Sequence, residues 1–119
     1  MNKNFNIKSL MVDKPLQLDC GQTINNFPLA YETYGVLNEK KNNAILVFHA
    51  LTGDQFVSGL NPITKKDGWW SYAVGPKKAV DTDKYFVICA NVIGGCLGSF
   101  GLAILTLKQI KFTEPPSLL

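Results

Sequence analysis

Arginine is absent from the 119 residues, and that absence sets the first limit on function. The formal charge of +3 comes from twelve lysines against nine acids, with the lysines standing singly or in pairs such as Lys40-Lys41, Lys65-Lys66 and Lys77-Lys78. Nucleic-acid surfaces are dense basic stripes, often rich in arginine and interleaved with aromatic platforms, whereas scattered lysines read as a solvated surface. Nucleic acid is therefore not an expected partner. Histidine occurs once, at position 49, and Cys20, Cys89 and Cys96 show no Cys-x-x-Cys spacing, so no metal-ligand set is expected. The odd cysteine count argues for reduced thiols in a cytoplasmic protein and against a disulfide framework. No apolar run approaches the roughly 20 residues of a membrane helix, and the stretch from Met1 to Asn6 has no signal-peptide core. The expectation is a soluble protein with no membrane partner.

What is present suits one globular domain. Hydrophobic residues make up 46% and charged residues 18%, with ten glycines and six prolines spread along the chain. Residues 1–14 are polar and aperiodic and are expected to form a flexible arm. Leu16-Gln17-Leu18-Asp19 and the stretch from Phe27 to Tyr34 alternate, which predicts two antiparallel strands joined by a loop. Ala44-Ile45-Leu46-Val47-Phe48 and Tyr85-Phe86-Val87-Ile88-Cys89-Ala90 are apolar at every position, as expected of parallel strands covered on both faces. One or two helical turns followed by a polar turn are expected over 77–83, before the second run. Together these elements predict an α/β sheet.

The first run ends in His49-Ala50-Leu51-Thr52-Gly53, and the second in a glycine-rich loop, Asn91-Val92-Ile93-Gly94-Gly95-Cys96-Leu97-Gly98-Ser99-Phe100-Gly101. Loops at the carboxyl ends of parallel strands are where α/β folds place their sites. Backbone N–H groups in such a loop can meet a developing oxyanion. A lone histidine at a strand end reads as a structural hydrogen-bonder or, less simply, as a general base paired with Cys96. The glycine loop lacks both the Gly-Lys-Ser/Thr ending and the Gly-x-Gly-x-x-Gly spacing, which excludes nucleotide binding of those types. Of the adjacent Trp69 and Trp70, one is expected to pack inward and the other to line a cleft or interface.

In order along the chain stand Leu29-Ala30-Tyr31-Glu32-Thr33-Tyr34-Gly35, His49-Ala50-Leu51-Thr52-Gly53, Gly68-Trp69-Trp70, Gly75-Pro76 with the stretch from Ala79 to Cys89, and Asn91-Val92-Ile93-Gly94-Gly95-Cys96-x-Gly98-Ser99. This succession resembles the N-terminal third of homoserine O-acetyltransferases. The resemblance implies an α/β-hydrolase fold, here its N-terminal part and incomplete, with antiparallel leading strands followed by parallel ones. It implies acetyl transfer from acetyl-CoA to the hydroxyl of homoserine through an acyl-serine, in methionine biosynthesis. Acetyl-CoA is then a co-substrate, with no bound cofactor and no metal, and the full-length protein is expected as a cytoplasmic homodimer. Leu51 would supply one oxyanion-hole N–H, with Ala50, Thr52, Gly53, Asn91, Gly94, Gly95 and Cys96 as pocket-lining candidates and His49 not the catalytic histidine.

The resemblance runs over about residues 15–101, the expected partial α/β-hydrolase domain, and residues 102–119 depart from it as an apolar tail ending in Pro115-Pro116. The family's nucleophilic serine, catalytic aspartate and catalytic histidine have no counterpart here, so the chain is expected to be inactive alone. A frameshift or premature stop would account for the tail. Exposed apolar strands would make the isolated chain prone to aggregation. A succinyl-dependent or serine-directed relative, an α/β-hydrolase esterase, and a noncatalytic interaction module are the alternatives.

Overall fold

The computed structural model describes residues 6–101. Within them a four-stranded mixed sheet runs in the order β1-β4-β8-β5, formed by Lys8–Val12, Phe27–Tyr34, Phe86–Ala90 and Ala44–Val47 respectively. Two minor pairs accompany it: β2 (Leu16–Gln17) with β3 (Thr23–Ile24), and β6 (Val74–Gly75) with β7 (Val80–Asp81).

The two all-apolar runs are neighbours and parallel, Ile45 opposite Val87 and Val47 opposite Cys89, as their composition predicts. Antiparallel pairing of β4 with β8, Tyr31 opposite Ala90, completes the centre of the sheet. Val47, Val57, Val74, Val87 and Cys89 form a buried cluster against which Tyr34, Ile45, Trp70 and Val80 pack. Each fully buried valine of this kind contributes about 1.5–3 kcal/mol, so the cluster anchors β5 and β8 side by side.

Four expectations are corrected. The expected loose arm contains β1, which pairs with β4 from Lys8 opposite Tyr31 to Val12 opposite Phe27. Four of its five residues are exposed, so no burial pattern marks it in the sequence; backbone pairing and the Lys8–Glu32 ion pair at 2.5 Å hold it. The expected hairpin between Leu16–Gln17 and β4 does not form. Instead the chain turns at Gly21, with Gly21 N–H donating to Leu18 O at 2.9 Å, and β2 pairs with β3.

The third correction is to the helical turns expected over 77–83. Asp81 competes for the backbone there, its carboxylate accepting Lys77 N–H at 2.8 Å and Asp83 N–H at 3.1 Å, and β7 forms beside β6. These N–H donors hold the Asp81 carboxyl below its usual range. The fourth concerns β5, which is covered on one face: Val47 is buried and Ile45 half-buried, while Leu46 and Phe48 are 57% and 80% exposed. No helix occurs among the described residues, and the expected apolar tail over 102–119 lies outside them.

The segment between β5 and β8 is a folded excursion. Gly68 N–H donates to Gly59 O at 2.7 Å and Trp70 N–H to Val57 O at 2.8 Å. Gly68 lies so close to the backbone of 56–58 that a Cβ would come within 2.5 Å of Ser58 N, which demands glycine there. Trp69 and Trp70 stack with ring centroids 5.8 Å apart and their planes nearly parallel. Trp70 packs on the core, whereas Trp69 stays 41% exposed and donates its indole N–H to Asp54 O at 2.9 Å.

Candidate active site

Because β5 and β8 are parallel, their carboxyl ends emerge side by side, and the two loops that follow face each other across a cavity of about 250 Å³. One wall is His49 with residues 51–54, and the other is Asn91 and Val92 with residues 94–97. Of the residues expected from sequence, Leu51, Thr52, Gly53, Asn91, Gly94, Gly95 and Cys96 line this space, and Ala50 does not. Asp54, Val92 and Leu97 line it without having been expected.

The first wall is a tight turn, closed by Gly53 N–H donating to Ala50 O at 2.7 Å. At its tip Leu51 is 92% exposed. Among the described residues the backbone N–H groups of Leu51 and Thr52 donate to no protein acceptor. A turn with open N–H groups beside a cavity can stabilise negative charge that develops on a bound oxygen. His49 sits beneath the turn with both ring nitrogens committed to the backbone, Nδ1 to Ala50 O at 2.7 Å and Nε2 to Val92 N–H at 3.3 Å. Neither nitrogen is offered to Cys96, so the two residues share the cavity without forming a thiolate–imidazole pair.

The second wall is braced from behind by buried polar groups. Asn91 N–H donates to Ala30 O at 2.8 Å, and its carbonyl accepts the Ser99 hydroxyl at 2.6 Å; that hydroxyl in turn accepts Ala30 N–H at 2.9 Å. The Asn91 amide donates to Gln55 Oε1 at 2.8 Å, and the Gln55 amide donates to Leu97 O at 3.1 Å. Gln55 is fully buried and Asn91 nearly so. The loop is thereby tied both to β4 and to the first wall. Positive φ at Gly94 and Gly98, 91° and 104°, lets the chain double back, so that Phe100 N–H reaches Pro28 O at 2.8 Å. Gly95 passes directly over Asn91 Oδ1, leaving no room for a side chain.

Cys89, below the cavity, donates its S–H to Asp54 O at 3.9 Å, and burial pushes its thiol up to about 11. It is an inert core group. Among the described residues no three histidine, cysteine, aspartate or glutamate side chains gather to hold a metal.

Besides Asp54, sequence reasoning missed two buried polar residues of this region, Gln55 and Ser99. A lone glutamine after a glycine turn carries no periodic signal, and its burial follows only from the pairing of β5 with β8.

A curated homoserine O-acetyltransferase of Pelagibacter ubique (strain HTCC1062) is 80% identical over 101 residues, covering 85% of this chain and 27% of the relative. Over most of its length the chain matches part of the sequence of curated homoserine O-acetyltransferases. It spans about a quarter of the length of the curated relatives it matches: the enzyme of Nitrobacter hamburgensis is 64% identical over 91 residues, 23% of its length. The homoserine O-acetyltransferase structure from Bacillus anthracis superposes with a TM-score of 0.63 at 33% identity, covering 72% of this chain and 23% of that one. No protein-family model matches. With this likeness the mixed sheet is part of an α/β-hydrolase fold, and the homoserine O-acetyltransferase likeness extends through both loops of the cavity.

Proposed function

We propose that the longer protein to which this segment corresponds transfers an acetyl group from acetyl-CoA to the hydroxyl of homoserine, and that the segment supplies one side of its acyl-transfer site. The 80% identity to a homoserine O-acetyltransferase over 101 residues carries this reading. The geometry supports it: Leu51 N–H stands open beside the cavity and serves as one oxyanion donor, while the braced glycine loop forms the facing wall of the acyl site. Acetyl-CoA is a co-substrate in this reading, and the protein works as a cytoplasmic homodimer on small molecules.

Acyl transfer through a serine needs a base to take the hydroxyl proton and an acid to orient that base. His49 is the single histidine, and its ring nitrogens are engaged by Ala50 O and Val92 N–H. On this reading the base, and by the resemblance the nucleophile, belong to the rest of the longer protein, and the chain by itself is expected to be inactive.

Esterase E22 shares the fold at 25% identity and a TM-score of 0.69, so hydrolysis, with water as acceptor, is the second reading. The test is a chimaera in which this segment replaces the matching stretch of the Pelagibacter ubique enzyme. Turnover of acetyl-CoA with homoserine is expected, exceeding hydrolysis of a simple acetyl ester. A folded chimaera that only hydrolyses the ester, or prefers succinyl-CoA or serine, contradicts the reading.

A further inference from the structure

His49 is 9% exposed, and its two ring nitrogens have partners of opposite kind. Nδ1 lies 2.7 Å from the Ala50 carbonyl oxygen, which can only accept, so Nδ1 carries the proton. Nε2 lies 3.3 Å from Val92 N, whose N–H can only donate, so Nε2 is bare. The two partners together select the Nδ1–H tautomer.

The consequence falls on the next peptide. Ala50 O receives the His49 proton and also Gly53 N–H, the latter at 2.7 Å. No cis peptide bond occurs among the described residues, so the plane joining Ala50 to Leu51 sets the Ala50 oxygen and the Leu51 N–H in opposite directions. Pinning the oxygen with two donors fixes where the N–H points. Among the described residues the following peptide, Leu51 to Thr52, has no comparable pair on its carbonyl. Gly53 lets the turn close against the ring, since a Cβ there would lie 3.1 Å from His49 Cβ and 3.3 Å from Nδ1. On the far side of the ring, the bond to Val92 spans from the turn to the facing wall.

We propose that His49 is a positioning residue of the acyl-transfer site: its Nδ1–H tautomer orients the Leu51 N–H, and its Nε2 sets the separation of the two walls. This rests on the reading of Leu51 as an oxyanion donor. His49 touches no reacting atom. The role accounts for a buried imidazole that is neither ligand nor base, and it makes Leu51, and not Thr52, the pre-oriented donor of the turn.

The test is made in the active full-length chimaera. In H49N the side-chain amide nitrogen takes the place of Nδ1 and still donates to Ala50 O; H49Q places its amide farther out, near Val92. H49Q is expected to lower kcat by roughly 10- to 100-fold, short of the roughly 10²- to 10³-fold cost of losing an oxyanion donor outright, with KM for both substrates within about twofold. H49N is expected to recover most of that loss. In a L51P background, where the N–H is gone, H49Q should cost little more, because coupled residues are not additive. Equal losses with and without L51P, or a rise in KM alone, would overturn the assignment of His49. If L51P itself costs nothing, the reading of Leu51 fails instead. Nitrogen-15 spectra of the imidazole in the 119-residue chain, where His49 is the sole histidine, should show Nδ1 protonated and Nε2 bare; the opposite tautomer also overturns the proposal.

Discussion

The Asn91 side-chain amide donates to Gln55 Oε1 at 2.8 Å, joining two buried residues 36 positions apart and tying one wall of the cavity to the other. Removing either partner strands the other in a dry environment. N91A or Q55A is expected to destabilise the folded chimaera by about 1–3 kcal/mol for each group left unpaired. Thermal or urea denaturation measures it. A change within about 0.5 kcal/mol, the range of an ordinary surface substitution, would show that the pair does not brace the loop.

Gly68 is expected to be the least replaceable glycine of the excursion. A methyl there would lie 2.5 Å from Ser58 N and 2.6 Å from Val57 C, and backbone cannot swing aside as a side-chain tip can. G68A should cost about 3 kcal/mol, at the upper end of overpacking penalties, and move the Trp69–Trp70 stack. Denaturation monitored by tryptophan emission reads both effects.

Stability should fall on the alkaline side. Burial raises the Cys89 thiol from 9.0 to about 11 and the Tyr34 hydroxyl from 10.0 to about 12. The unfolded chain releases these protons first, so the stabilisation is complete below pH 9 and is lost as pH rises through each folded value. C89A is expected to flatten the earlier part of that decline, between pH 9 and 11, and leave the tyrosine part. Urea midpoints measured across this range test the sign.

The 119-residue chain on its own should self-associate. β5 is the last strand in the sheet order, and beside it Leu46 and Phe48 are 57% and 80% exposed. An uncovered strand edge next to an apolar face promotes pairing between chains. L46K with F48K is expected to shift the sedimentation profile toward monomer, and an unchanged profile would place the association elsewhere.

The legible parts of the fold were those where burial writes a pattern. Every residue from Ala44 to Phe48 and from Tyr85 to Ala90 is apolar, and these runs are the two parallel strands or border them. The glycine-rich loop after the second run was legible as a tight reversal because glycines cluster where the chain doubles back, at Gly94 and Gly98. β1 was not legible, since Leu10 and Met11 are 57% and 61% exposed and backbone pairing with β4 holds the strand. β7 was not legible, since it is two residues long and its stretch is shaped by the Asp81 carboxylate, which accepts the Lys77 and Asp83 N–H groups. Gln55 and Ser99 were invisible because their meaning lies in partners, Asn91 and Ala30, that are distant in sequence.

The oxyanion role we propose for Leu51 rests on its backbone N–H, so on that proposal its side chain should matter little. Leu51 is the second residue of the turn closed by Gly53 N–H and Ala50 O, a place where proline's fixed φ is accommodated while its missing hydrogen is felt. L51A keeps the N–H and should lose less than about tenfold in kcat, whereas L51P should lose roughly 10²- to 10³-fold. The deciding measurement is kcat for acetyl transfer to homoserine by the chimaera carrying L51P, with L51A as its control. A large loss in L51P alone, from a protein that melts like its parent, is expected; equal rates in the two variants would contradict the account.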